Sequence, residues 1–248
     1  MGPFGAVSPG AWVAVIACTT AVVESGGVLG TLACEPPLTL RQVRGEDPGR
    51  CELRLVGSAA GPLAGDELSL TLQLRPSARA ALGAAGASLA QGQGGGSAGA
   101  LTFRAELADG ASLVADPGPL IVCAGSRVDV RLSLVLDAGA AVQWRELVVL
   151  GRTGEAPGRA TVRWDVTRSG RAVLRQFTEL DLALTGGRRV LACALLADPN
   201  RMARTAVASP TAVAQRVDEH TLLVSVLEDD AARAMAELTG LCVRAWAC

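Results

Sequence analysis

Between residues 61 and 74 the chain runs Gly61-Pro62-Leu63-Ala64-Gly65-Asp66-Glu67-Leu68 and then Ser69-Leu70-Thr71-Leu72-Gln73-Leu74. The second half alternates without a fault. Leu68, Leu70, Leu72 and Leu74 fall on one side, and Glu67, Ser69, Thr71, Gln73 and Arg75 on the other. A period of two marks a strand with one buried face. The first half is a turn: Gly61 and Gly65 can take positive φ at little cost, and Pro62 fixes φ between them. The carboxylate pair Asp66-Glu67 sits where turn becomes strand, and an ordinary turn with solvated charges is the simplest reading of that pair.

The same pattern recurs along the chain. Strands are expected over Trp12–Val22 and Val28–Cys34, joined by a hairpin turn at Glu24-Ser25-Gly26-Gly27. Pro36-Pro37 breaks the pairing, and alternation resumes at Leu38–Val43 and again at Cys51–Val56. Further strands are read at Leu101–Leu107, Ser112–Ala115, Leu120–Cys123, Arg127–Leu136, Val142–Leu150, Arg159–Thr167, Ala172–Leu180, Val190–Leu196 and Thr221–Leu227. Turn chemistry separates them: Ala108-Asp109-Gly110, Asp116-Pro117-Gly118-Pro119, Asp137-Ala138-Gly139, Ser169-Gly170 and Thr185-Gly186-Gly187. Asp198 to Val217 is the least regular part. One helix is expected near the C-terminus, with Asp229-Asp230 as its N-terminal cap, Ala231 to Leu238 as its body and Gly240 as its stop.

No βαβ rhythm appears, which removes the nucleotide-binding α/β folds. The expected fold class is mainly β: many short antiparallel strands in stacked sheets, sandwich- or barrel-like, with one short C-terminal helix. At 248 residues the chain can build one large core, and no linker divides it. It is therefore read as a single β domain over 1–248, with 1–10 disordered and a flexible Gly-rich loop at 91–99.

Charge and motifs exclude several functions. Every basic residue is arginine, no basic run stands out, and the formal net charge is −1, so the footprint of a nucleic-acid binder is missing. No lysine follows the glycines of the 91–97 segment, so it is not a phosphate loop. No apolar stretch is long enough to suggest a membrane span, and no positive charge precedes the apolar run from Trp12 to Cys18. The seven cysteines form no CxxC pair and have no histidine at metal-ligand spacing. Scattered through apolar strands, they fit buried thiols in a reducing compartment better than a disulfide framework. His220 is the one histidine. It has no nucleophile elbow near it, and a polar residue at a strand edge is its simplest reading.

The order of the motifs resembles the urease accessory protein UreD family (called UreH in some organisms). The hairpin around Glu24-Ser25-Gly26-Gly27 and the following Pro36-Pro37-Leu38-Thr39-Leu40 look like that family's opening strands. Gly61 to Leu68 looks like its "G-G-x-x-G-G-D-x-L" signature, with Pro62 and Ala64 replacing usual glycines. Trp144 to Arg152 looks like its "Glu-x-x-x-x-Gly-Arg" strand end, and Thr153-Gly154-Glu155 fits the Gly-Glu that follows. Ala84 to Gln91 keeps the spacing of a further family segment without its Lys and Tyr.

The resemblance implies a protein that is not an enzyme. It would bind apo-urease and recruit UreF-like and UreG-like accessory proteins in the cytoplasm, with no nucleic-acid or membrane partner. A homodimer within that complex is compatible with it. It also implies a predominantly β fold and no tightly bound cofactor, with nickel passing in transit. A chain that hands nickel onward should offer weak, exchanging oxygen ligands rather than a His/Cys cage. On that basis Asp66, Glu67, Glu146 and Glu155 are the candidate groups near such a path. Poor solubility alone, rescued by a UreF-like partner, is expected.

Two other readings stand beside this one. One is a secreted or cytoplasmic β-sandwich binding module without a role in metal delivery; its secreted form needs paired cysteines. The other is an enzyme that recruits His220 through space.

Overall fold

The computed structural model describes residues 13–92, 96–204 and 207–247. In chain order its strands are β1 (Ile16–Glu24), β2 (Val28–Ala33), β3 (Leu38–Val43), β4 (Cys51–Gly57), β5 (Glu67–Leu74), β6 (Arg79–Ala84) and β7 (Ser88–Ala90). There follow β8 (Gly99–Leu107), β9 (Ser112–Ala115), β10 (Pro119–Val122), β11 (Arg127–Leu136), β12 (Ala141–Leu150), β13 (Arg159–Arg168) and β14 (Arg171–Leu180). The last are β15 (Val190–Ala197), β16 (Met202–Ala203), β17 (Val207–Ala208), β18 (Ala212–Asp218), β19 (Thr221–Glu228), the helix α1 (Ala231–Ala245) and β20 (Trp246–Ala247). Trp12, the 1–10 segment and residues 93–95 of the Gly-rich loop lie outside the described residues.

The pairing corrects the expected antiparallel sandwich or barrel. One sheet runs β14-β13-β11-β8-β5-β1-β2, and its five inner strands β1, β5, β8, β11 and β13 are all parallel. The facing sheet contains a second parallel set, β4, β6, β9 and β12, extended by antiparallel β15, β19, β18 and β17. Between β4 and β13 the chain passes back and forth between the two sheets. It therefore climbs like a solenoid, with one coil of roughly 30 residues, inside the range of known repeats. Glu67, Ala100, Asp129 and Thr161 stand side by side in successive coils. The turn-forming triplets reverse the chain as expected, but the strand beyond each one hydrogen-bonds in the other sheet. Period-two alternation is the same for either architecture, so it could not separate them.

Each inward position of the first sheet forms a ladder with its counterparts. Leu70, Phe103, Leu132 and Trp164 make one rung; Leu72, Ala105, Leu134 and Val166 make the next. All eight are buried. On the facing sheet β15 is buried along its whole length. Leu191, Cys193, Leu195 and Ala197 enter the core between the sheets, and Val190, Ala192, Ala194 and Leu196 enter a second core beneath α1. A strand covered on both faces reads as a continuous apolar run for this reason.

The helix starts as expected: the Asp230 carboxylate accepts from the Arg233 backbone N–H at 2.8 Å. It does not stop at Gly240. Leu241, Cys242 and Ala245 are buried against the second core, and that burial outweighs the cost of about 1 kcal/mol for an interior glycine.

Among the described residues the outer edge of β2 pairs with no strand and is unguarded. None of its six residues is charged, it contains no proline, and five of the six are exposed. Such an edge is a template for strand pairing, which edge lysines suppress. Lysines at Val28 and Thr31 are expected to raise the soluble yield of the isolated chain several-fold with an unchanged circular dichroism spectrum. An unchanged yield would show that some other surface limits solubility.

Candidate functional site: a carboxylate in the core

Strand β12 changes neighbours halfway along. Ala141–Trp144 pair with β9, whereas Leu147–Leu150 pair with β10. Arg145 and Glu146 face the interruption, where the chain passes through Asp116-Pro117-Gly118. Gly118 sits at φ +81°, and a Cβ there would come within 2.6 Å of the Ala84 Cβ, so the turn requires glycine. A cavity of about 10 Å³ remains beside it, lined among others by Pro117, Gly118, Leu120, Phe103 and Glu146. That is room for about one water molecule.

The strand points Val142, Trp144, Glu146, Val148 and Leu150 inward, and all five are buried. Glu146 is therefore a carboxylate at a position the alternation reserves for apolar side chains. From the opposite sheet the Trp164 indole Nε1 donates to its Oε2 at 2.5 Å. Burial pushes the Glu146 carboxyl up to about 7, opposed in part by the Trp164 hydrogen bond. Its neighbour in register on β15 is Cys193, whose own neighbour on β19 is Ser225. The Cys193 thiol lies 3.6 Å from the Ser225 hydroxyl and donates to it. Burial pushes this thiol up to about 12, the serine lowering it and Glu146 raising it, so at neutral pH it is the protonated SH form.

Other polar groups share this interior. Gln176 stands beside Trp164 in the β13–β14 ladder and donates to the Thr178 hydroxyl at 3.3 Å. Its Oε1, the Trp144 Nε1, the Thr221 hydroxyl, and Nε and one terminal nitrogen of Arg168 are all buried without a protein partner. Arg168 occupies the rung that in earlier coils holds Leu74, Leu107 and Leu136. Orphaned buried groups of this kind cost stability unless water or a ligand satisfies them.

The other candidates sit elsewhere. Asp66 is buried, and its carboxylate accepts from the Val15 N–H at 2.9 Å and the Leu63 N–H at 2.8 Å. It bolts the start of β1 to the turn. In that turn Gly65 has the positive φ expected of it, and Gly61 does not. Glu67 is exposed on the outer face of the first sheet. Glu155 closes the loop after β12: its carboxylate accepts from the Arg152 backbone at 2.9 Å and from the guanidinium at 3.0 Å on each oxygen. Those bonds hold its carboxyl down at about 2. Among the described residues no group of three or more His, Cys, Asp or Glu could hold a metal ion. Trp164, Cys193, Ser225 and Gln176 belong with Glu146 but had no motif to mark them. Their signal was positional: each is a polar-capable side chain at an inward parity.

His220 lies at the β18–β19 turn, where its Nδ1 is 2.8 Å from the Arg201 carbonyl and its Nε2 3.1 Å from Glu219. The six described cysteines are all free thiols, Cys18 and Cys34 exposed and the others buried; Cys248 lies outside the described residues. No described helix is long and apolar enough to cross a membrane.

Parallel coils, an antiparallel extension, a single described α-helix and an ionisable group sealed in the core define the class: a two-sheet β stack with a polar seam through its middle. The family model described as "UreD urease accessory protein" matches residues 14–247, and the chain belongs to that family. It is 41% identical over 154 residues to the urease accessory protein UreD of Streptomyces coelicolor, covering 62% of this chain and 60% of the relative. It is 36% identical over 165 residues to the protein of that name from Streptomyces avermitilis, covering 66% and 65%. With the Frankia casuarinae protein, again a urease accessory protein UreD, it shares 28% identity over 222 residues, 75% of this chain and 69% of the relative. The chain thus matches less than two thirds of the length of the first two.

Proposed function

We propose that this chain serves urease maturation as a binding scaffold rather than a catalyst. In this reading it docks apo-urease together with UreF-like and UreG-like accessory proteins, and nickel crosses it as cargo. Family membership supports the role in maturation. The buried carboxylate of Glu146 is the one observation that carries the transit reading.

An enclosed carboxylate with a single hydrogen-bond donor keeps lone pairs for a passing cation. Nickel would displace the proton that burial favours, and that competition weakens binding near neutral pH. The neighbouring thiol is protonated and adds little affinity, since the thiolate is the ligand form. A site of this kind binds weakly and releases, as a conduit needs. We assign Glu146 to the path. Asp66 and Glu155 spend their oxygens on backbone and arginine donors, and Glu67 is left as an outer acceptor.

Co-expression with apo-urease and a UreF-type partner tests the scaffold role. A complex containing this chain is expected to survive gel filtration, and the chain's soluble yield should rise with the partner. A chain that elutes alone and stays soluble at high concentration would contradict the reading.

A further inference from the structure

The outer face of the parallel sheet carries arginines where the ladder makes them repel. In the β11–β13 pairing Arg127 stands beside Arg159, and Arg131 beside Arg163. Neighbouring parallel strands are about 4.8 Å apart, and like charges so placed destabilise a sheet. Arg104 sits one strand over beside Ser133, diagonal to Arg131, whose own partner there is Thr102. Arg163 lies over the ring of Phe177 at 5.9 Å, and Phe177 is 60% exposed. Asp129 approaches Arg131 only at 3.7 Å, and Asp165 approaches Arg175 at 3.9 Å. Among the described residues Arg104, Arg127 and Arg163 have no carboxylate within ion-pair distance.

We propose that this face is a docking surface for an acidic protein partner, with Arg131, Arg163 and Phe177 at its centre. The proposal rests on the scaffold reading above and deepens it by naming the surface and the chemistry that it takes. Arg159 already pairs with Asp181 at 2.8 Å, so the Arg131–Arg163 pair carries the strain, and carboxylates from outside lying between these two guanidiniums would relieve it. Aromatic residues and arginine are both enriched at protein interfaces, and here an exposed aromatic lies under an arginine. The occupant is a protein and not a nucleic acid because acids interrupt the arginines. Asp129, Asp165, Glu106 and Glu179 share the face, and a phosphate backbone laid across the arginines would meet these acids as well. A partner carrying mixed charge with an acidic excess meets both signs.

The test immobilises the full-length chain and presents apo-urease, a UreF-type protein and a UreG-type protein singly, at low and at high salt. One of them is expected to bind the wild-type chain in a salt-sensitive manner. R131E/R163E should weaken that partner about tenfold or more, and F177A by a similar factor. The milder R131S/R163S guards against misfolding, and R244E on the exposed side of α1 should leave binding unchanged. Circular dichroism of every variant should match wild type.

If a partner binds and R131E/R163E holds it equally well, the docking surface is wrong and the scaffold reading stands. If no partner binds the wild-type chain, both fall. Comparable affinity for random-sequence duplex DNA, lost in R131E/R163E, would overturn the proposal in favour of a nucleic-acid surface. A wild-type dimer that R131E/R163E converts to monomer, with partner binding intact, would overturn it in favour of self-association.

Discussion

Glu146→Gln is expected to stabilise the folded chain above neutral pH while impairing its function. The Glu146 carboxyl is raised from 4.5 to about 7 by burial, so the folded state holds a proton that the unfolded state gives up. The stabilisation this brings is fully present below pH 4.5 and is lost as pH rises through about 7. The loss amounts to about 3 kcal/mol. Glutamine keeps the shape and an acceptor for the Trp164 N–H, and it does not titrate. Urea unfolding in the edge-lysine background should therefore show wild type and E146Q converging below pH 4.5. By pH 8 the variant should be ahead by about 3 kcal/mol. Parallel stability curves would mean that Glu146 is hydrated in the folded chain. A residue kept at such a cost in the middle of a core is the usual mark of a functional position.

The second large effect is structural. Asp66→Ala removes the acceptor of two backbone N–H groups, Val15 and Leu63. Both bonds are only part-buried, and Val15 is itself exposed, beside a turn that also fixes Ala100, whose N–H donates to the Asp66 carbonyl at 2.6 Å. Leaving a buried donor unpaired costs about 1–3 kcal/mol, and bonds to a charged acceptor fall at the upper end. With one donor half-buried and the other near solvent, the expected loss is about 2–3 kcal/mol, seen as a lower urea midpoint with an unchanged slope. Asp66→Asn can retain only one of the two bonds and should lose less. If Asp66→Ala were as stable as wild type and instead abolished nickel loading, Asp66 would belong to the transit path and not to the frame.

Much of the fold could be read from the residues, because local alternation needs no tertiary information. Arg127–Leu136 and Ser112–Ala115 have the bounds that their alternation and turns implied, and Asp230 caps the helix as its position suggested. Sheet membership could not be read: Asp137-Ala138-Gly139 leads from β11 into the other sheet, and nothing in those three residues says so. Gly240 misled for a related reason, since the burial of Leu241 and Ala245 outweighs a local preference. The irregular composition of 198–217 hid β18, whose Ala212 and Ala214 are buried under α1.

The candidate site was half legible. Glu146 is out of place in the sequence itself, an acid between Trp144 and Val148 on the buried parity. Its partners were not, because Trp164, Cys193 and Ser225 are ordinary occupants of apolar strands until the register sets them beside it. Asp66 and Glu155 carried the same chemical promise as Glu146. Only hydrogen-bond geometry separates a carboxylate that is spent from one that is not.

The most direct test is the nickel content of urease matured in cells with either wild-type chain or E146Q, at matched levels of the chain and of its complex with urease. E146Q is expected to assemble normally yet leave urease with a several-fold lower nickel occupancy. Full nickel occupancy with E146Q would contradict the transit reading and reduce Glu146 to an unexplained cost in the core.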